Sequence, residues 1–340
     1  MEAHDFREEV RSSAVGASAE LTDIDPTAIR ARSPWQLFWR RFKEDRLAMA
    51  SLIFVAVLIV VAIIAPLIVS IAGAPEPEFR DQTALDPLFA TATGPSADHW
   101  FGVDNLGRDI FSRTVYGARV SLVVAFVATT IATALGVVAG LIAGYFRGWT
   151  DTLVSRSVDV LLAIPYLMLA IGLASACTFT VGENEGSGGC LGGLIKPGLP
   201  VVIFVISFTS WTYMARIIRG QTLSLREKEF VESARSVGAS NSRIIFRELL
   251  PNLTAPIIVY ASILIPQVIL YEAALSFLGI GVSPDTASWG AMIADATSDF
   301  DTYWWFMLFP GLALLFTVLA FNLVGDAMQD ALNPRAKKTS

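Results

Sequence analysis

EFVESARSVGASNSRIIFRELLP, residues 229–251, is a polar, arginine-rich insert between two long apolar runs. Helix-forming residues over 229–237 lead to Gly238, and a second helix-forming stretch over 242–250 leads to Pro251. Glycine takes the left-handed conformation that ends one helix, and proline cannot continue the next. The stretch therefore predicts a helix–turn–helix knob in water on one face of a membrane, with its surroundings embedded in lipid. That contrast makes the fold all-α and polytopic.

The rest of the composition agrees. Charged residues make up 16% of the 340-residue chain and hydrophobic residues 54%, where a soluble domain carries about a quarter charged. The charge-free runs are 47–75, 120–146, 160–182, 197–215, 252–271 and 302–325. Each holds the roughly 20 apolar residues needed to cross about 30 Å of hydrocarbon, which predicts six spans. The first run follows a polar tail and is too long for a signal-peptide core, so it is expected to remain as the first transmembrane helix.

Basic residues orient the spans. With a cytoplasmic N-terminus, only Arg80, Arg108, Arg113, Arg119 and Lys196 of the 25 Lys and Arg lie outside. The positive-inside rule then places both termini and the 229–251 knob in the cytoplasm. Cys177 and Cys190 flank an external glycine-rich loop. Such a pair in an oxidising compartment suggests a disulfide, the alternative being two separate thiols.

The boundaries read as follows: a polar, disordered cytoplasmic tail at 1–33, an amphipathic interfacial helix at 34–46, the first transmembrane helix at 47–73 and an external loop at 74–117. A five-helix core follows at 118–330, containing a cytoplasmic coupling loop at 220–253, and a cytoplasmic tail ends the chain at 331–340. In the interfacial helix Trp35, Phe38, Trp39 and Phe42 recur at i, i+3, i+4 and i+7, an aromatic face at headgroup depth, with Arg40, Arg41 and Lys43 off it.

The spacing Glu232, Ala234, Gly238, Leu250, Pro251 resembles the EAA motif of ABC importer permeases, the cytoplasmic loop that docks in a cleft of the ATPase subunit. Ser233 stands where Ala is usual and Glu248 where Ile is common; the alternative is an ordinary basic loop with two amphipathic helices. HWFGVDNLGRDIFSRTVYGARVSL (99–122) resembles the GTDxxGRDxxSRxxxGxRxSL stretch of the dipeptide/oligopeptide/nickel branch, with Val103 for Thr. Within it Asp104 can cap a short helix, and Asp109 and Arg113 have helical ion-pair spacing. With Arg108 these residues suit a folded outer cap or a substrate contact. RSVDVLLAIPYLMLAI (156–171) resembles that branch's third span, with Asp159 at its cytoplasmic end and Pro165 within. YEAALSFLGIGVSP (271–284) and FNLVGDAMQDALNPR (321–335) match as well.

The likeness identifies the chain as the second, C-type permease subunit of a peptide ABC importer. It implies the fold shared by methionine- and maltose-type importer permeases. It also implies a homologous partner permease, two cytoplasmic ATPases carrying ATP and Mg, and an external solute-binding protein; nucleic acid is not an expected partner. An importer of nickel or another small solute uses the same branch, and a proton-coupled transporter is the competitor from another class.

No catalytic constellation or metal site is expected. His4 is in the tail, His99 stands alone, and no GxxxxGK[ST] loop occurs. The chain is therefore expected to be a non-catalytic subunit that binds no cofactor itself. Glu272 is the one acidic residue inside an apolar run. Rising from about Thr254 it lies roughly 27 Å up, near the outer boundary, where it can pair with a neighbouring helix, cap a re-entrant turn or carry a proton. Gly136, Gly140 and Gly144 repeat every four residues, a smooth face for packing against another helix, the alternative being a face that lines the pore.

Overall fold

The computed structural model describes residues 34–89, 91–178, 190, 193–283 and 286–332. The tail at 1–33, most of the loop between the two cysteines and the end beyond 332 lie outside the described residues. The helices are α1 (Pro34–Glu44), α2 (Arg46–Ile63), α3 (Ala65–Ile71), α4 (Ile110–Phe146), α5 (Gly148–Ala163) and α6 (Tyr166–Thr178). They continue with α7 (Leu199–Arg226), α8 (Glu229–Ser236), α9 (Asn241–Phe277), α10 (Trp289–Ala296) and α11 (Trp305–Leu332).

Among the described residues five helices, α2, α4, α7, α9 and α11, are each long and apolar enough to cross a membrane. The candidate for the sixth is the pair α5 and α6, bent by 95°, which together form a broken span or a re-entrant loop. The run at 160–182 is thus not one straight helix with Pro165 inside it. A residue before proline is pushed out of the helical region, and Ile164 is extended at φ −89°, ψ 130°. The first span is also interrupted: Ile64 leaves helical geometry (ψ 17°) between α2 and α3, which carries Pro66 in its first turn.

Other expected boundaries shift for local reasons. Asp45 accepts from the Leu47 and Ala48 nitrogens at 2.9 and 3.1 Å, which separates α1 from α2. Asp109 caps α4, accepting from the Ser112 nitrogen at 2.7 Å. The core's first helix therefore starts at Ile110, inside the stretch expected to be external loop. At about 1.5 Å per residue the 37 residues of α4 extend about 55 Å, well past the hydrocarbon layer.

α4 and α7 form the most extensive interface. A Cβ on Gly136 would lie 2.5 Å from Met214 Cβ, one on Gly140 2.7 Å from the Ala215 carbonyl oxygen, and one on Gly144 2.7 Å from Thr222 Cβ. The glycine face lets the two backbones approach where any side chain would hold them apart. On one side Val124, Ala128 and Ala132 pack with Val201, Val205, Leu264 and Val268. On the other, Leu122 and Ala125 pack with Val55, Ile269, Trp289 and Phe321.

The aromatic face of α1 does not lie wholly in lipid. Phe38 and Phe42 are buried against Ala48, Ala327 and Ala331, so α1 is docked on the ends of α2 and α11, while Trp39 stays at the surface. Cys177 and Cys190 are joined by a disulfide, with Cα atoms 4.5 Å apart, tying the end of α6 to the segment before α7.

Candidate functional site

The knob is built on α8 and the start of α9. α8 carries Glu232, Ser233 and Ala234, with Glu232 and Ser233 exposed and Ala234 half-buried. Gly238 has φ +80°, and nothing lies within 4 Å of where its Cβ would be. The Gly238 nitrogen donates to the Arg235 carbonyl at 2.9 Å and the Ala239 nitrogen to the Ala234 carbonyl at 3.0 Å. This pair of bonds ends a helix on a left-handed residue. Ser240 then caps the next helix, accepting from the Arg243 nitrogen at 3.4 Å.

Pro251 does not stop that helix. Residues Ile244–Leu249 form a π-turn in which the Leu250 nitrogen donates to the Ile245 carbonyl, and the chain runs on as one helix to Phe277. The widened turn makes room for a ring that would collide with the carbonyl one turn back. Leu250 is half-buried and Pro251 exposed within this continuous rod. The second arm of the knob and the fifth span are consequently one body.

Apolar residues seat the knob against the bundle. Val231, Ile244, Leu249 and Leu253 are buried with Leu141, Tyr145, Met214 and Ile218 from α4 and α7. Tyr145 is a further anchor that sequence reading passed over. Its hydroxyl donates to Asn241 Oδ1 at 2.8 Å, and the Arg226 and Arg235 guanidiniums stand 5.8 and 5.7 Å from its ring centre. Outward, the knob presents Val237 and Phe246, 89% and 62% exposed.

At the other end of the bundle the 99–122 motif forms a cap. Asp104 closes a turn rather than a helix: its Oδ1 accepts from the Leu106 and Arg108 nitrogens, both at 2.9 Å. Arg108 donates to Asp104 and, at 3.0 Å, to Asp295 near the end of α10. Asp109 Oδ2 meets His99 Nδ1 at 2.8 Å, so His99 does not stand alone. Arg113, fully buried, donates to the Pro77 carbonyl at 3.3 Å. Trp305 donates from Nε1 to the Val103 carbonyl at 3.3 Å, and Phe101 stacks on Phe309 at 3.8 Å, fastening the cap to α11.

Glu272 is fully buried and reached by three serine hydroxyls: Ser121 of α4 at 2.9 Å, Ser276 at 2.8 Å and Ser288, the cap of α10, at 3.0 Å. It thus joins three elements where α9 meets this cap. Asp159 of α5 accepts from Arg216 of α7 at 2.9 Å, both about half exposed, and Asp151 and Arg219 form a bidentate pair beside them. These two ion pairs hold the half-helix α5 to α7.

The expected site residues therefore fall in separate places: the knob at one end, Asp104, Arg108, Asp109, Arg113 and Glu272 at the other, and Asp159 between. A feature with no expected residue is a cavity of about 330 Å³ between α7 and α9, lined by Ser210, Tyr213, Tyr260, Gln267 and Tyr271 among others. Its signal in the sequence was polar residues recurring inside apolar runs.

Residues 136–338 match the family of binding-protein-dependent transport system inner membrane components, and residues 33–87 match the N-terminal TM domain of oligopeptide transport permease C. The glutathione transport system permease protein GsiD of Escherichia coli O6:K15:H31 (strain 536 / UPEC) is 41% identical over 308 residues, covering 91% of this chain and 93% of that protein. GsiD of Shigella flexneri serotype 5b (strain 8401) is 42% identical over the same length and shares. The inward-facing MetNI methionine ABC transporter superposes with a TM-score of 0.52 at 18% identity, over 66% of this chain and 98% of that one, a likeness of fold alone. This chain belongs to the family of binding-protein-dependent transport system inner membrane components. It is a multi-pass inner-membrane permease of the ABC importer class, in the oligopeptide branch.

Proposed function

We propose that this chain forms half of the translocation pathway of an ATP-driven importer of short peptides. A homologous permease supplies the other half, and two cytoplasmic ATPases, which carry the ATP and Mg, dock on the knob around Gly238. An external solute-binding protein delivers cargo to the outer cap. The chain itself is non-catalytic. The positive-inside distribution supports a cytoplasmic knob and cytoplasmic termini, and the glutathione permeases at 41% identity support a peptide cargo.

The observation that carries the coupling is the continuity of α9. Glu232, Ser233, Ala234 and Gly238 set the first arm, while Leu250 and Pro251 lie in the rod that joins the second arm to the fifth span. Val237 and Phe246 are the apolar anchors offered to the ATPase. When the ATPases close on ATP, displacement of the knob tilts α9 as a rod. Its movement against α7 opens the pathway to one side and then the other. Asp104, Arg108, Asp109, Arg113 and Glu272 keep the outer cap folded through this motion, and Asp159 holds α5 to α7.

The test is reconstitution of the complete transporter in vesicles. Radiolabelled tri-alanine should accumulate only with ATP on the knob side and with the binding protein on the other. ATP-driven uptake of nickel but not of tri-alanine would overturn the cargo. Uptake without ATP that disappears with a proton uncoupler would overturn the coupling.

A further inference from the structure

We propose that the cavity between α7 and α9 is a transient binding station for the backbone of a translocating peptide, an inference that rests on the peptide reading above. Ser210, Tyr213 and Ile217 come from α7, and Tyr260, Gln267 and Tyr271 from α9. Tyr213 and Tyr260 are 58% and 37% exposed, and Gln267 is exposed as well. The Gln267 carboxamide and the hydroxyls of Tyr213, Tyr260 and Tyr271 make no hydrogen bond among the described residues.

Such groups do not face hydrocarbon. Each unpaired polar group left in lipid is costly, so transmembrane polar faces look onto water, protein or a polar ligand. The midsections of α11 and α2 obey the opposite rule. α11 exposes Leu308, Leu312, Leu315, Phe316 and Leu319, and α2 exposes Ile53, Val57 and Val60, all apolar. The α7/α9 side is therefore the one turned toward the pathway.

The chemistry of the lining selects the ligand class. None of the lining residues is charged, so ionised peptide ends find no counter-charge there. Gln267 offers one donor group and one acceptor, the complement of a peptide N–H and C=O. Tyrosine faces pack against any side chain, and their hydroxyls donate or accept. That set holds an amide backbone without reading side chains. One turn along α7 from Tyr213, Arg216 pairs with Asp159, and a peptide leaving the cavity meets both signs of charge.

Coupling reaches this wall directly. Phe246 in the knob and Gln267 in the cavity lie on one helix, 21 residues and about 31 Å apart, while α7 is clasped to α4 by the glycine face. A tilt of α9 therefore changes the width of the cavity.

The experiment uses the complete transporter in vesicles with radiolabelled tri-alanine. Gln267→Leu, which fits a membrane span, should lower ATP-driven uptake about ten-fold, the scale of one hydrogen bond lost from a water-poor site. ATP hydrolysis stimulated by the loaded binding protein should persist. Gln267→Asn should recover part of the uptake, and Leu315→Ala on the apolar side should change nothing. A photoreactive benzoyl-phenylalanine in place of Tyr213 should cross-link labelled tri-alanine during turnover. Wild-type uptake in both Gln267→Leu and Tyr213→Ala, or equal losses of uptake and stimulated hydrolysis, would overturn the site while leaving peptide import intact. Failure of the unmodified transporter to import tri-alanine would overturn the peptide reading, and the site with it.

Discussion

One methyl group added to the contact between α4 and α7 should loosen the bundle. At Gly140 a Cβ would lie 2.7 Å from the Ala215 carbonyl oxygen, 2.8 Å from Ile218 Cβ and 2.9 Å from the Arg219 nitrogen. Comfortable carbon contacts are about 3.5–4.0 Å, so the helices must part by roughly an ångström. Two of the three obstacles are backbone atoms, and no rotamer change relieves them. Overpacking of this kind costs about 1–3 kcal/mol. Parting the helices also weakens the contacts that Met214 and Thr222 make at Gly136 and Gly144. We therefore expect Gly140→Ala to cost about 3 kcal/mol. Gly220 supplies the comparison, because nothing lies within 4 Å of its Cβ, and alanine is a better helix former than glycine by about 1 kcal/mol. Purified protein heated in detergent and scored for monodispersity should lose about 5 °C in midpoint for Gly140→Ala, with Gly220→Ala unchanged or higher. Equal midpoints for Gly140→Ala and the unmodified protein, or a matching loss at Gly220, would refute the close-packed interface.

Three further outcomes follow from the same structure. Gly238→Val puts a β-branched residue at φ +80°; the protein should insert normally while co-purification of the ATPases and ATP-driven uptake collapse, and normal uptake would separate the knob from coupling. Glu272→Leu leaves three buried serine donors without an acceptor, at about 1–3 kcal/mol each. It should lower the thermal midpoint more than Glu272→Gln, which keeps an acceptor oxygen, and the reverse order would refute the triple contact. Reduction of Cys177–Cys190, separated by 13 residues, should cost about 3 kcal/mol; alkylation without reductant that labels either thiol in protein from intact cells would show the bond is not formed there.

Much of the fold was legible because lipid imposes a single rule. A charge-free run long enough to cross the bilayer reads as helical, since nothing in hydrocarbon satisfies an exposed backbone. Hence the long runs, the left-handed turn at Gly238 and the smooth face of Gly136, Gly140 and Gly144 all appear in the sequence as residue types. Bends were harder to read. Pro165 breaks a span while Pro251, Pro256 and Pro266 sit inside a continuous helix. The ring removes the same donor in each case, and the neighbours decide whether the freed backbone is re-satisfied or the chain turns.

Polar partnerships were the part that the sequence left open. It singled out Glu272, Asp159 and Arg108, yet each takes a partner from a distant stretch: Ser121 and Ser288, Arg216, and Asp295 respectively. Pairing distance in a helix bundle depends on which faces meet, and nearest-neighbour spacing along one helix carries no record of that. The sequence by itself determined an all-α membrane protein with a knob broken at glycine, because hydrophobic length and backbone conformational preference are local properties. Only the tertiary structure decided that the knob and the fifth span are one rod and that Tyr213, Tyr260 and Gln267 share a cavity, because both depend on how α7 and α9 are set against each other by packing.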